Sequence, residues 1–281
     1  MQSTAILRDL IIAGILLAPN VCVGQAIEGG SVLLPAEPPA GTEQLRVKWV
    51  TAANPGAQPI LMAIARPDGP GPFSVVVLLH STHGFAQEYV HLAQEFAAGG
   101  FIAVAACWFS GQSGPGTRDV TPPIECPPLP MVDPRSPEAV ARVAAITRAV
   151  RDIPGARPDR IALFGHARGA AAATWYAMQA SEVRALILDA GVYLPEHTAH
   201  AAELKAAVLM LHGEEDSPAN GGGPPSSAQK AHDFEAALRQ AGKSVEAKYY
   251  KTGGHNSLFT DPAQHHDEVS RILGFLRQHN R

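Results

Sequence analysis

The sequence predicts an α/β fold in which a mostly parallel central sheet carries helices on both faces. Three observations point there. Short continuous apolar runs recur along the chain, among them Val75 to Leu79, Ile102 to Ala106 and Ala207 to Leu211. Such runs are what strands buried on both faces require. Helix-length stretches separate them, and strict strand–helix alternation implies parallel pairing covered on two sides. The length of 281 residues, with 46% hydrophobic and 17% charged, suits one domain with a large buried core.

The elements follow in order. Residues 1–26 read as a signal peptide. Arg8 supplies positive charge, Leu10 to Ala18 is an apolar stretch too short to span a bilayer, and Gly24 and Ala26 offer small residues for cleavage. Val21 and Pro19 before Cys22 do not fit a lipid-attachment site, so no stable membrane anchor is expected after cleavage. Residues 27–44 are rich in Pro, Gly and Ala without periodicity and read as a leader, which leaves 45–281 as the folded domain. Arg46 to Thr51 and Ile60 to Ala65 are expected as two antiparallel edge strands around the turn Asn54-Pro55-Gly56. Val75 to Leu79 is a buried strand. Gln87 to Ala98 is a helix ended by Gly99-Gly100, and Ile102 to Ala106 is the next strand.

Ser110 to Arg135 breaks this rhythm with many Gly and Pro residues and no apolar period. A loop of that length inside a compact domain is a lid, a pocket wall or an inert excursion. Pro137 to Arg151 is a helix with Ser136 as N-cap and proline at its first position. Ile161 to Phe164 is a strand leading into an alanine-rich helix. Ala185 to Asp189, Ala207 to Leu211 and Val245 to Tyr250 are further strands, with a helix over Ala228 to Gln240. Val269 to Gln278 closes the chain as a helix.

Gly165-His166-Ala167-Arg168-Gly169 joins strand to helix with the spacing of a nucleophile elbow, G-x-S-x-G, but its centre is alanine. An elbow needs an acid and a base at later strand ends. His212-Gly213-Glu214-Glu215-Asp216 offers the acid, with Asp216 preferred over its two neighbours. Gly253-Gly254-His255-Asn256 offers the base, His255. Oxyanion stabilisation requires two backbone N–H donors. Arg168 at the helix N-terminus is one candidate, and Thr82 or Ser81, after the Val75 to Leu79 strand, is the other. His80, His83, Trp108, Phe109 and His166 are candidates to line the substrate pocket.

On these residues the chain resembles the α/β-hydrolase superfamily, in its dienelactone hydrolase-like and secreted serine esterase branch. The matching stretches are Pro72 to His80, Gly165 to Gly169, Leu211 to Asp216 and Gly253 to His255, and the likeness spans roughly residues 45 to 280. The resemblance implies the α/β-hydrolase fold and hydrolysis of esters, lactones or related acyl compounds, without metal or organic cofactor. Most relatives attack with serine, and dienelactone hydrolases proper with cysteine. Ala167 has no lone pair, so covalent acyl transfer is expected to be lost or residual here. The alternative is an exported pseudohydrolase that binds a ligand or partner without turnover.

The remaining features bound the partners. A formal net charge of −4 gives no electrostatic footprint for nucleic acid. The expected partner is a small ester-like molecule, and the sequence leaves the oligomeric state open. His80 with His83, and His197 with His200, have spacing a metal could use, but no carboxylate or cysteine set completes either, so no metal site is expected. Of the 3 cysteines, cleavage beyond Cys22 leaves Cys107 and Cys126. Export to an oxidising compartment would allow that pair to form a disulfide.

Overall fold

The computed structural model describes residues 33–111 and 120–280. The expected signal peptide therefore lies outside the described residues, as does the start of the leader. The strands are β1 (Leu33–Pro35), β2 (Lys48–Ala52), β3 (Ile60–Ala65), β4 (Phe73–Leu79), β5 (Ile102–Ala106), β6 (Ala156–His166), β7 (Val183–Asp189), β8 (Ala207–Gly213) and β9 (Val245–Tyr250). The helices are α1 (Gln87–Ala98), α2 (Pro137–Ala149), α3 (Arg168–Gln179), α4 (Pro195–Ala199), α5 (Ala228–Gln240), α6 (Ser257–Thr260) and α7 (Pro262–His279). The strands form one sheet in the order β1-β2-β3-β5-β4-β6-β7-β8-β9. Pairing is antiparallel from β1 through β3 to β5 and parallel from β5 onward.

The mostly parallel sheet with helices on both faces is thus as expected, and its core has two sides. Val77, Leu163, Leu186 and Val208 pack with α2, α3 and α5 on one face. Val76, Leu78, Phe164, Ile187 and Leu209 pack with α1 and α7 on the other. Alternation along each strand, period two, divides the side chains between these layers.

Three elements depart from the sequence reading. The supposed leader contributes β1, whose residues pair with Val50 to Ala52 and extend the antiparallel edge. Three residues show no readable alternation, and only pairing makes them a strand. β6 starts five residues early, because Ala156 to Arg160 is partly exposed and carries polar residues that hide its strand character. α7 starts at Pro262, seven residues ahead of the expected Val269. The Asp261 carboxylate caps it by accepting from the amides of Ala263 and Gln264, with proline at the first position. α2 behaves as its sequence predicts, with the Ser136 hydroxyl accepting from the Ala139 amide at 3.1 Å.

Strand order reverses at β4, which lies between β5 and β6. In open α/β sheets the crevice beyond the carboxyl ends of strands at such a reversal is where ligands bind. The chain leaving β4 runs into Ser81 to Phe85, and the chain leaving β6 is the elbow.

Candidate active site

The elbow owes its shape to backbone sterics. Ala167 sits at φ 49°, ψ −110°, one of two non-glycine residues with positive φ among the described residues. That geometry costs a residue with a Cβ on the order of 1–3 kcal/mol and persists only where the surroundings dictate it. They do so here through two hydrogen bonds: the Ala167 amide donates to Asp189 O at 3.0 Å and its carbonyl accepts from the Val192 amide at 3.1 Å. The turn also needs glycine at 169, where a Cβ would lie 2.1 Å from the Leu79 carbonyl oxygen. This close approach seats the start of α3 against the end of β4.

Asp216 and His255 meet although 39 residues separate them. Asp216 follows β8 and His255 follows β9, and those strands pair in parallel. The Asp216 Oδ2 to His255 Nδ1 distance is 2.8 Å, and both residues are buried. Asp216 is held by further contacts: Ser226 Oγ donates to its Oδ1 at 3.1 Å, and His212 Nε2 lies 3.4 Å from Oδ2. A Cβ on Gly222 would come within 1.7 Å of Asp216 Oδ1, so no side chain fits there without displacing the carboxylate. Glu214 and Glu215, the other two acids of the turn, are exposed, and Glu214 faces His232 at 3.3 Å. The His255 ring lies beside the elbow, its centroid 5.1 Å from that of His166.

Of the three candidate backbone donors, one already has a partner. The Ser81 amide donates to the Tyr89 hydroxyl at 3.0 Å, which removes Ser81 as an oxyanion donor. Thr82 and Arg168 remain. The Arg168 amide opens α3, where first-turn N–H groups lack intrahelical partners. The two residues are also joined through their side chains, Arg168 Nε donating to Thr82 Oγ1 at 3.4 Å.

The proposed pocket-lining residues require correction. Trp108, Phe109, His80 and His166 are fully buried, and His83 nearly so. They form a packed layer beneath the elbow. The Trp108 indole donates to His80 O at 2.9 Å, and the His83 ring stacks on Tyr89 at 5.5 Å. Open space lies elsewhere: a cleft of about 460 Å³ bounded by Thr82 and Arg168, with Met131, Val132, Val192 and Leu194 among its walls. The end of the long Pro-rich segment is therefore a pocket wall. Arg168 fixes that wall by donating to Val132 O at 3.1 Å. Residues 112–119 of the segment lie outside the described region.

A second imidazole–carboxylate pair escaped the sequence reading. His166 Nδ1 lies 2.6 Å from Asp189 Oδ2, both at the paired ends of β6 and β7. His166 Nε2 reaches Asn256 Oδ1 at 3.3 Å, next to His255 in sequence. Burial raises the Asp189 carboxyl far above the carboxylate range. It also raises Glu268 on α7, where the neighbouring Asp189 charge adds to the effect. Gln264 Nε2 donates to Glu268 Oε1 at 2.6 Å. Burial pushes the imidazoles of His80, His83 and His166 down to about 3, and nearby histidines add to it. These three imidazoles under the elbow are therefore neutral at neutral pH. Only the register of β6 against β7 seats Asp189 opposite His166, so no spacing in the sequence could have revealed the pair.

Among the described residues no cluster of three or more His, Cys, Asp or Glu has metal-binding geometry. No described helix is long and apolar enough to cross a membrane. Cys107 and Cys126 form a disulfide, with S–S 2.11 Å, that ties the end of β5 to the long segment.

Comparison with known proteins agrees with this architecture. A model of the dienelactone hydrolase family matches residues 60–278. No curated protein matches the chain. Among solved structures, a Klebsiella pneumoniae protein assigned as a dienelactone hydrolase has 18% identity and a TM-score of 0.65, over 83% of this chain and 99% of that one. A dienelactone hydrolase-like promiscuous phosphotriesterase from metagenomic libraries has 17% identity and a TM-score of 0.66, over 83% and 97%. An esterase from Pyrococcus furiosus has 12% identity and a TM-score of 0.66, over 88% and 98%.

Proposed function

The chain belongs to the dienelactone hydrolase family, and on that premise we propose that it carries an ester- or lactone-hydrolase site of the Ser-His-Asp kind with the nucleophile missing. One observation carries the reading. Ala167 occupies a backbone conformation costly for alanine, and a buried Asp216–His255 pair stands at the neighbouring strand ends. A methyl group gains nothing from that geometry, whereas a hydroxyl or thiol at its tip would be presented for attack.

The roles follow from the chemistry. Asp216 fixes the His255 tautomer by accepting from Nδ1–H, which leaves Nε2 as the base. The amides of Arg168 and Thr82 are the donors for a developing oxyanion. The cleft beside Arg168 takes a small ester-like substrate. With alanine at 167 the base has no proton to remove, and any turnover is the residue that oxyanion donors and binding can supply. That residue is on the order of a thousandfold over water when triad roles are lost.

The test is the Ala167→Ser variant. Hydrolysis of p-nitrophenyl acetate and butyrate is expected to rise by about a thousandfold or more over the parent chain. The variant should also react with a fluorophosphonate probe. If the variant neither hydrolyses short esters nor labels, the hydrolase reading fails. The second reading is an exported ligand-binding pseudohydrolase, favoured by the Ala167 methyl itself. Thermal stabilisation of the parent chain by an ester-like ligand that is recovered unchanged supports it.

Export belongs to the same proposal. The Cys107–Cys126 disulfide supports it, because such bonds persist in oxidising compartments. N-terminal sequencing of protein recovered outside the cytoplasm should begin shortly after Gly24 or Ala26.

A further inference from the structure

A second cleft lies at the antiparallel edge of the sheet. It encloses about 620 Å³, within the range of small-molecule sites. Its floor is apolar, made by Val50 and Ile64 with Leu33 of β1 at one side. Ile153 and Pro154, between α2 and β6, also line the cleft. None of these residues belongs to the elbow, the Asp216–His255 pair or the cleft beside Arg168.

The polar part of this cleft is cationic. Arg46, Lys48 and Arg66 line it, against one carboxylate, Asp152. Arg46 and Lys48 form no ion pair with any described residue, nor does Asp152. Arg66 is held in place without being neutralised: its guanidinium donates to Pro154 O at 3.1 Å and Gly69 O at 3.2 Å, and packs over the Phe73 ring. Carbonyls orient the fork but leave its charge uncompensated. On a chain of net charge −4, three cations against one carboxylate is a local reversal of sign. Arg46 and Arg66 also border a smaller cleft of about 380 Å³ on the α1 side, so both cations stand where the two spaces meet.

We propose that this edge cleft is a binding site for an amphipathic monocarboxylate, an aliphatic acid whose tail lies on Val50 and Ile64 and whose carboxylate meets Arg46, Lys48 and Arg66. Apolar area along the tail supplies the non-directional part of the affinity, and the cations fix its orientation. A neutral alcohol of the same chain length keeps the first contribution and loses the second. The site is independent of the hydrolase reading and stands or falls separately.

The test uses the full chain and decanoate at concentrations where it is monomeric, followed by calorimetry. Saturable one-to-one binding is expected, with decanol at least tenfold weaker. The double variant Arg46→Glu/Lys48→Glu changes two exposed side chains and should lower decanoate affinity at least tenfold, while circular dichroism stays unchanged. Lys48→Ala alone is the milder second variant and should weaken binding severalfold. Equal binding of decanoate and decanol overturns the proposal, as does failure of the charge-reversed chain to lose affinity. Loss of binding in Arg168→Ala, with none in the edge variants, would place the ligand in the other cleft and also overturn it. Binding to anionic vesicles without binding of monomeric decanoate would reassign the surface to membranes.

Discussion

Replacing Arg142 with methionine tests what anchors the long Pro-rich segment. Arg142 is on α2 and only 1% exposed, an extreme burial for a guanidinium. Its Nη1 donates to Trp108 O at 3.0 Å and to Pro130 O at 2.8 Å, and its Nη2 meets the Glu138 carboxylate. One side chain therefore joins the end of β5 to the far end of the segment that walls the cleft. Methionine fills similar volume and supplies no donor, leaving two carbonyls to satisfy. Each loses a hydrogen bond to a charged group, about 1.5–3 kcal/mol. Two effects reduce the sum: a buried cation is removed, and its Nε has no partner among the described residues. The Glu138 side chain is half exposed, so that ion pair adds less than about 1 kcal/mol. The expected loss is about 3 kcal/mol in urea unfolding. Hydrogen exchange should accelerate at the amides of Ser110 and Leu129, which bond the segment to itself at 2.7 and 2.8 Å. Arg142→Lys keeps the charge but not the two-pronged geometry and should fall between parent and methionine. A loss under about 0.5 kcal/mol for Arg142→Met, with exchange unchanged, would refute this account of the anchor.

Three further expectations concern buried groups. Burial raises the Glu268 carboxyl well above its ordinary 4.5, so its contribution to stability is complete below that pH and is lost as pH rises. Glu268→Gln should therefore gain on the parent chain between pH 5 and 8, by more than about 1 kcal/mol in chemical denaturation, and a pH-independent difference would contradict it. His83 has the opposite sign: held near 3 against an ordinary 6.5, it favours the fold above 6.5 and costs stability below. His83→Asn should reduce acid sensitivity between pH 6 and 4 by about one proton, read from the slope of unfolding free energy against pH. The disulfide closes a loop across a sequence separation of 19, so a Cys107→Ser/Cys126→Ser chain should lose about 3 kcal/mol of stability, seen as a lower urea midpoint. An unchanged midpoint would mean the segment is held by its hydrogen bonds, those of Arg142 and Arg168 among them, without help from the disulfide.

Much of the fold was legible because local pattern and burial coincide in a parallel sheet. α1, β5, α5 and β9 begin and end where their apolar runs and glycine stops say they should. Legibility failed where an element's character comes from its partner. β1 is a strand because β2 pairs with it, and the start of α7 is set by a cap whose helix then runs through the polar His265, His266 and Asp267. The site divides the same way. Ala167, Asp216 and His255 could be named from motifs at strand ends, since a turn between strand and helix has strict local demands. His80, Trp108 and Phe109 could not be sorted into pocket or core, because residues at a strand's end look alike in sequence whichever way the next turn carries them.

The chain alone determined the alternating architecture, the elbow with alanine at its centre, and the order of acid and base along it. These depend on short-range sterics and on hydrophobic pattern, which a sequence states directly. Only the tertiary structure decided that Asp216 rather than Glu214 or Glu215 meets His255, and that Tyr89 takes the Ser81 amide. It also decided that a second carboxylate, Asp189, sits under the elbow against His166. Those outcomes depend on which groups the sheet brings within about 3 Å, the reach of a hydrogen bond. No local run of residues encodes that distance.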